Sequence, residues 1–413
     1  MAAPFEKLSQ TIDTLREEMI ALQTLMIAAP ALSPENHGRG EWAKAKVVRA
    51  VLESFVDRID ECHAPDSRVP EGTRPNFIAY VKGARSDHRV WFVAHLDTVP
   101  VGTESEWHTP PFQAVVKDGR IYGRGAEDNH QGLVSALFAA KAFRSAGLQP
   151  PCDIGLLILA DEETGSNYGI EHVLRTANPL RCGDIVLVPD GGPPTGDMIE
   201  IAEKGGLWVK FTVHGKTTHG STPHMGVNAH RAAGYLIVAL DQLHQRFPRK
   251  DAMFFPPTST FEPTVSDANN VGTNVVPGTA SFTYDCRLLP GLSSSEVLAT
   301  MREIAATIEH THHVSVTVER VRGFDPAPAT PIDSPVVQLT MHAVRTVYQV
   351  EPKAMGHGGT SIAKQIRDAG IPTVLYSKTD DRLHTSNEYC VIDNMIGDCK
   401  ILAHIALHAG TRT

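Results

Sequence analysis

The chain of 413 residues is poor in the features that mark several large functional classes. Its six cysteines (Cys62, Cys152, Cys182, Cys286, Cys390 and Cys399) are scattered, and no C-x-x-C pair occurs. That spacing argues against a thiolate zinc site and reads as reduced, mostly buried thiols, as expected of a cytoplasmic protein. Lys and Arg number 38 against 47 Asp and Glu, a formal net charge of -9. With no long basic run, the electrostatic footprint of a nucleic-acid binder is missing. No apolar stretch reaches bilayer-spanning length, so no membrane association is expected. The N-terminus places Leu8, Ile12, Leu15, Met19, Leu22 and Met26 at helical steps among charges, which is an amphipathic helix and not a signal peptide. H-E-x-x-H and G-x-S-x-G are absent. "GKTT" at 215–218 lacks a phosphate loop's earlier glycine, since Lys210 stands there, and "GRGAED" lacks the last glycine of a dinucleotide fingerprint.

What is present is an ordinary globular balance, 42% hydrophobic and 21% charged, in a chain long enough for two domains. After the N-terminal helix and a second one at about 41–55, buried strands alternate with helices. "VWFVAH", "DIGLLILAD" and "DIVLVPD" read as strands, and 132–147 and 170–176 as helices. This pattern predicts an α/β domain with a largely parallel sheet. From about Glu203 the pattern changes. The strand "GLWVKFTVHG", a helix over 228–247, an extended segment near 269–276, the strand "TASFTYDCRLLPG", a helix over 293–309 and the strand "VSVTVERV" approximate β-α-β-β-α-β. The Pro-rich 324–335 reads as a return linker, and "IPTVLYS" as a strand of the resumed first domain.

Several strands end in residues of metal-ligand type. "AHLD" carries His95 and Asp97, "DEE" carries Asp161, Glu162 and Glu163, "LVPDGG" carries Asp190, and His384 follows "IPTVLYS". Asp128 lies on the glycine-rich "YGRGAEDNHQG" just before a helix. In open α/β sheets such groups gather beyond the carboxyl ends of the strands. Each residue alone has an ordinary use, as a satisfied polar side chain, a turn residue or a helix cap. Their joint occurrence at successive strand ends favours a site. So many carboxylates beside two histidines repel by several kcal/mol per close pair even at an effective dielectric of about 20, and divalent cations would reverse the sign. Mixed His and carboxylate ligation suits zinc, with manganese or cobalt as alternatives. The "HTHH" run at 310–313 shows no ligand spacing and reads as a solvated helix end.

The segments "AHLDTVPVG", "WHTPPFQAVVKDGRIYGRGAEDNHQG", "LADEETGS", "LVPDGG", "GKTTHGSTPHMGVNA", "NVVPGTASFTYDCRLLPG" and "GGTSIA" resemble, in family order, a family of dinuclear zinc peptidases and deacylases. Acetylornithine deacetylase, succinyl-diaminopimelate desuccinylase and glutamate carboxypeptidase are members. The resemblance implies an α/β/α catalytic domain (1–202 and 321–413) with an inserted ferredoxin-like α+β lid and dimerisation domain (203–320). It implies that His95, Asp128 and Asp190 hold one metal and that Asp128, Glu163 and His384 hold the other. Many relatives have glutamate where Asp190 stands. Asp97 would orient His95 and Glu162 would be the general base. His219 would steady an oxyanion in a partner subunit's site, with His224 as the alternative. Asn274 and Arg287 would grip a substrate carboxylate, and Gly359 and Thr360 would offer backbone groups.

The reading is therefore an amidohydrolase with two divalent metal ions, zinc first, that cleaves a small N-acyl amino acid in a desuccinylase- or deacetylase-like reaction. A metallo-dipeptidase or carboxypeptidase acting on a short peptide is the alternative, followed by an aminopeptidase and a catalytically silent metal-binding module. The expected setting is a cytoplasmic homodimer.

Overall fold

A computed structural model describes residues 3–268 and 272–410. The chain divides into two compact units, one of residues 1–201, 330–355 and 361–413, the other of 202–329 and 356–360.

The first unit is built on an eight-stranded sheet. Its strands run in the order Arg58–Glu61, Phe77–Val81, Asp153–Leu159, Arg89–His95, Ile185–Val188, Thr373–Leu375, Met198–Glu203 and Lys353–His357. The four central strands, from Asp153–Leu159 to Thr373–Leu375, are mutually parallel. Phe77–Val81 pairs antiparallel with both its neighbours, as does Met198–Glu203 with Thr373–Leu375. The sheet is thus more mixed than the largely parallel one expected. Of the flanking strands, the partly exposed "RIDE" of Arg58–Glu61 carries little apolar signal.

The central strands are apolar throughout because both faces are covered. Trp91 and Val93 point to one face with Leu157, Leu159, Val186 and Val188, packed against Ile170, Val173, Ile362 and Ile366. Beyond the other face lie the helices Gly132–Ser145 and Ile392–His408, which pack on each other. Gly155 leaves room for Trp91, since a Cβ there would stand 2.2 Å from the indole ring. The N-terminal amphipathic stretch forms two helices, Pro4–Thr14 and Arg16–Ile27, interrupted at Leu15.

The second unit is β-α-β-β-α-β. Its antiparallel sheet runs in the order Thr260–Asp267, Thr279–Leu288, Gly205–His214 and Ser315–Phe324. Leu207, Val209, Phe211 and Val213 alternate inward with Phe282, Tyr284 and Cys286, and are covered by the helices Ala229–Leu240 and Ser294–His312. The Asn228 side chain caps the first of these by accepting from the Arg231 amide at 2.9 Å. The second long strand is Thr260–Asp267 and not a segment near 269–276. Residues 269–271 lie outside the described residues, and Val275–Val276 makes only a short pair with Thr218–His219. Thr260–Asp267 escapes a pattern reading because it is an exposed edge strand whose register shifts at Pro263. Among the described residues no helix is long and apolar enough to cross a membrane.

Gly132 opens the helix Gly132–Ser145, where a Cβ would sit 1.7 Å from the carbonyl oxygen of Pro189. Only glycine allows this helix start to touch the end of strand Ile185–Val188. Gly132→Ala is therefore expected to lower the thermal midpoint through a loss of about 1–3 kcal/mol. Gly234→Ala, inside Ala229–Leu240 with nothing within 4 Å of the added carbon, should hold or raise it. Thermal melts by circular dichroism check the pair, and equal midpoints would refute the close-approach argument.

Candidate metal centre

The parallel arrangement of the four central strands puts their carboxyl ends on one side, and each end leads into a candidate ligand. His95 closes the strand Arg89–His95; Glu162 and Glu163 follow Asp153–Leu159; Asp190 follows Ile185–Val188; and His384 lies beyond Thr373–Leu375. Asp128 comes from the irregular turn Ala126–Gln131 before the helix Gly132–Ser145, where it has non-helical backbone angles.

These side chains converge into two groups that share one residue. Donor atoms of His95, Asp128 and Asp190 lie within 4.8 Å of one another, as do those of Asp128, Glu163 and His384. His95 Nε2 is 3.1 Å from Asp128 Oδ1 and 3.7 Å from Asp190 Oδ2. His384 Nε2 is 3.0 Å from Asp128 Oδ2 and 3.1 Å from Glu163 Oε2. The two carboxylate oxygens of Asp128 thus face different groups. His95 is buried, whereas the His384 side chain is 54% exposed, so the centre opens on the His384 side.

The three consecutive acids separate into different tasks. Asp161 has φ 63°, a left-handed conformation that turns the chain, and its carboxylate accepts from the Thr164 hydroxyl at 2.5 Å and the Tyr168 amide at 2.9 Å. Glu163 enters a donor group, while Glu162 stays outside both. Fully buried Asp97 holds the pair, accepting from the amides of Glu162 at 3.0 Å and Glu163 at 2.9 Å. Its backbone carbonyl lies 3.1 Å from His95 Nδ1, closer than its carboxylate at 3.4 Å. Asp97 thus faces His95 with both its carbonyl and its carboxylate, and the same carboxylate receives the amides of the two glutamates. With Nδ1 directed at a carbonyl, the imidazole presents Nε2 as a donor atom toward the acids.

The electrostatics of the cluster call for positive charge. Burial pushes the Glu163 carboxyl up to about 8 and the Asp190 carboxyl up to about 6, in both cases aided by repulsion from Asp128. Burial pushes Glu162 well above the carboxylate range, with Glu163, Asp190 and Asp128 adding to it and His95 opposing. Hydrogen bonds to Asp128 and Glu163 raise His384 to about 11. Burial alone would lower His95, yet the carboxylates of Asp128 and Asp97 outweigh it and hold the imidazole well above its usual range. Each of these shifts acts to lower the net negative charge of the cluster, as bound cations would. Glu163 Oε1 is buried with no hydrogen-bond partner among the described residues. A set of imidazoles and carboxylates with a spare buried oxygen fits divalent cations of zinc, manganese or cobalt type.

The remaining candidates lie on the second unit. His219 pairs with Val275, and the Asn274 carbonyl accepts from the Gly220 amide at 2.7 Å, so His219 and Asn274 are neighbours. His219 Nδ1 accepts from the Ser221 amide at 3.1 Å and lies 2.7 Å from the Ser221 hydroxyl, which leaves the ring proton on Nε2 of an exposed side chain. His224 sits on the short turn Pro223–Met225. Arg287 donates to both oxygens of Asp285 at 2.7 and 3.0 Å, lies 4.9 Å from the Trp208 ring, and reaches the Gly358 carbonyl at 3.5 Å. The Gly359 amide is already given to His357 Nδ1 at 3.0 Å, which leaves its carbonyl as the group on offer, beside exposed Thr360.

Sequence reasoning missed the residues that hold the ligand loops. Asn129 receives the His95 amide at 3.4 Å and donates to the Pro189 carbonyl at 2.7 Å, which ties two strand ends together. Glu388 is fully buried against Arg124 at 2.7 Å.

Comparison with known proteins agrees with this architecture. The profile of peptidase family M20/M25/M40 matches residues 91–408. An uncharacterized metallohydrolase of Methanocaldococcus jannaschii is 32% identical over 410 residues, covering 95% of this chain and 99% of the relative. A succinyl-diaminopimelate desuccinylase of Methylobacillus flagellatus is 30% identical over 343 residues, covering 82% and 88%. Among solved structures, an M20 family metallo-carboxypeptidase from Sulfolobus solfataricus superposes with a TM-score of 0.77 at 20% identity, covering 95% of this chain and 99% of that one. The chain accordingly belongs to peptidase family M20/M25/M40, and it is a metal-dependent hydrolase of amide or peptide bonds.

Proposed function

We propose that the protein is a dinuclear metal-dependent deacylase that cleaves the amide bond of a small N-acyl amino acid. The observation that carries this reading is the shared Asp128 between two donor groups, with Glu162 beside them and outside both. The acyl-amino-acid side is supported by the similarity to a succinyl-diaminopimelate desuccinylase. His95, Asp128 and Asp190 would hold one cation, and Asp128, Glu163 and His384 the other. When bound, such cations supply Lewis acidity toward a carbonyl oxygen and lower the pKa of water.

The chain's own groups do the rest. Glu162, its backbone fixed by Asp97, takes a proton from the attacking water on its carboxylate and returns it to the departing amine nitrogen. Asp97 keeps Glu162, Glu163 and His95 in register. On the second unit, His219 Nε2–H is a donor for a developing oxyanion. Arg287, pre-oriented by Asp285, is a planar fork for a substrate carboxylate, with Asn274, Gly359 and Thr360 as further contacts. We propose further that the second unit acts as a lid and joins two copies into a homodimer, so that His219 serves the partner's site. Full activity in a monomer, measured by sedimentation during turnover, would remove that cross-subunit role.

Glu162→Gln should keep the metal content of the wild type and lose about 10²–10⁴-fold in kcat, the usual range for a general acid-base group. Metal analysis alongside steady-state kinetics checks this, and unchanged kcat would exclude the assignment. The function itself is tested by amine release from acetyl-, succinyl- and formyl-amino acids, dipeptides and their C-terminal amides. Cleavage restricted to one acyl class is expected, and cleavage of dipeptides alone would replace the deacylase with a peptidase. On the same panel Arg287→Ala should raise KM for free carboxylates and leave the amides unaffected. Equal effects on both would exclude Arg287 from carboxylate recognition.

A further inference from the structure

Two buried glutamates that belong to neither donor group join the loops that carry Asp128 and His384. Glu388 lies four residues beyond His384, and its carboxylate accepts from the amides of Gly125 at 2.9 Å, Glu127 at 2.8 Å and Asp128 at 3.0 Å. Arg124 neutralises it at 2.7 Å, with both side chains about 1% exposed. Glu127, adjacent to Asp128, reaches the opposite way and accepts from the amides of Asp380 at 2.6 Å and Arg382 at 2.5 Å. Each loop therefore lends a carboxylate to the main chain of the other.

Both loops are irregular: Asp381, His384 and Asn387 have φ between 58° and 61°, Gly125 has φ 85°, and Asp128 and Asn129 have non-helical angles within the turn Ala126–Gln131. A buried amide without a partner is costly, and here the donors are gathered on two carboxyl groups. The crossing is continued by the pairing of Tyr389–Val391 with Arg120–Tyr122 and by Tyr389 donating to Asp380 at 2.9 Å. His384 itself is more than half exposed and receives little packing support.

We propose that Glu127 and Glu388 form a reciprocal clamp of positioning residues that sets the spacing of Asp128 and His384, and with it cation retention in the more open group. This rests on the reading that the centre binds two cations. The test is zinc titration of the full-length protein against a competing chromophoric chelator. The wild type should take two equivalents. Glu388→Gln and Glu127→Gln each place an amide NH2 against backbone N–H groups. They should weaken the second equivalent about 10–100-fold, the usual cost of disturbing the groups that support metal ligands, and change the first less. The double variant should lose less than the product of the two, because one junction is broken twice. Leu236→Ala, in the core of the second unit, should lower thermal stability while keeping both equivalents tight. If both single variants hold the second equivalent as tightly as the wild type, the clamp is refuted. If the wild type takes fewer than two equivalents, the dinuclear reading fails instead. The clamp is then judged by amide hydrogen exchange, where Glu388→Gln must speed Asp380 and Arg382 as well as Gly125, Glu127 and Asp128. Unchanged exchange at Asp380 and Arg382 would overturn it.

Discussion

Like-charge crowding around Asp128 is the constraint on which the first unit depends. Asp128, Glu162, Glu163 and Asp190 are brought together against their mutual repulsion, and two imidazoles cannot balance them. Such a centre exists only if the backbone leaves its side chains no retreat. The sheet supplies that rigidity, since parallel strands sealed on both faces end in register and their end loops share one rim. Gly132 lets the helix behind Asp128 touch the Pro189 carbonyl, and Asn129 bonds the same carbonyl. The approach of Asp128 to Asp190 is thus fixed by main-chain contacts that charge alone would break.

Much of this was legible in the sequence because strand ends are legible. An apolar run that stops in acids, repeated at successive strands, locates a rim without any knowledge of the fold. His95, Asp128, Glu163, Asp190 and His384 lie where that logic puts them, and the structure assembles them into two groups. What escaped was whatever acts through the main chain. Asp97 was expected to orient His95, and both its carbonyl and its carboxylate face the Nδ1 atom, at 3.1 and 3.4 Å; its bonds to the Glu162 and Glu163 amides had no sequence signal. Glu388 and Glu127 have no pattern of their own, since a residue that accepts backbone amides from a distant loop leaves no local periodicity. The edge strand Arg58–Glu61, and Thr260–Asp267 with its Pro263, hide for a related reason: exposed edges lack the apolar alternation on which strand recognition rests.

The second unit follows a different economy of polar groups. Its sheet buries one face under two helices and leaves the other polar, where Trp208 sits between Arg287 at 4.9 Å and Arg322 at 4.1 Å. Asp285 takes both the Arg287 guanidinium and the Trp208 indole N–H, so the arginine is held against the sheet.

Asp97 has a consequence for motion. One residue holds the His95 ring by its carbonyl and the main chain of Glu162 and Glu163 by its carboxylate, and the Leu96 amide bonds the Leu159 carbonyl between them. Two neighbouring strand ends are thereby tied to each other by hydrogen bonds, and a shift of one end relative to the other would have to break those from the Leu96, Glu162 and Glu163 amides.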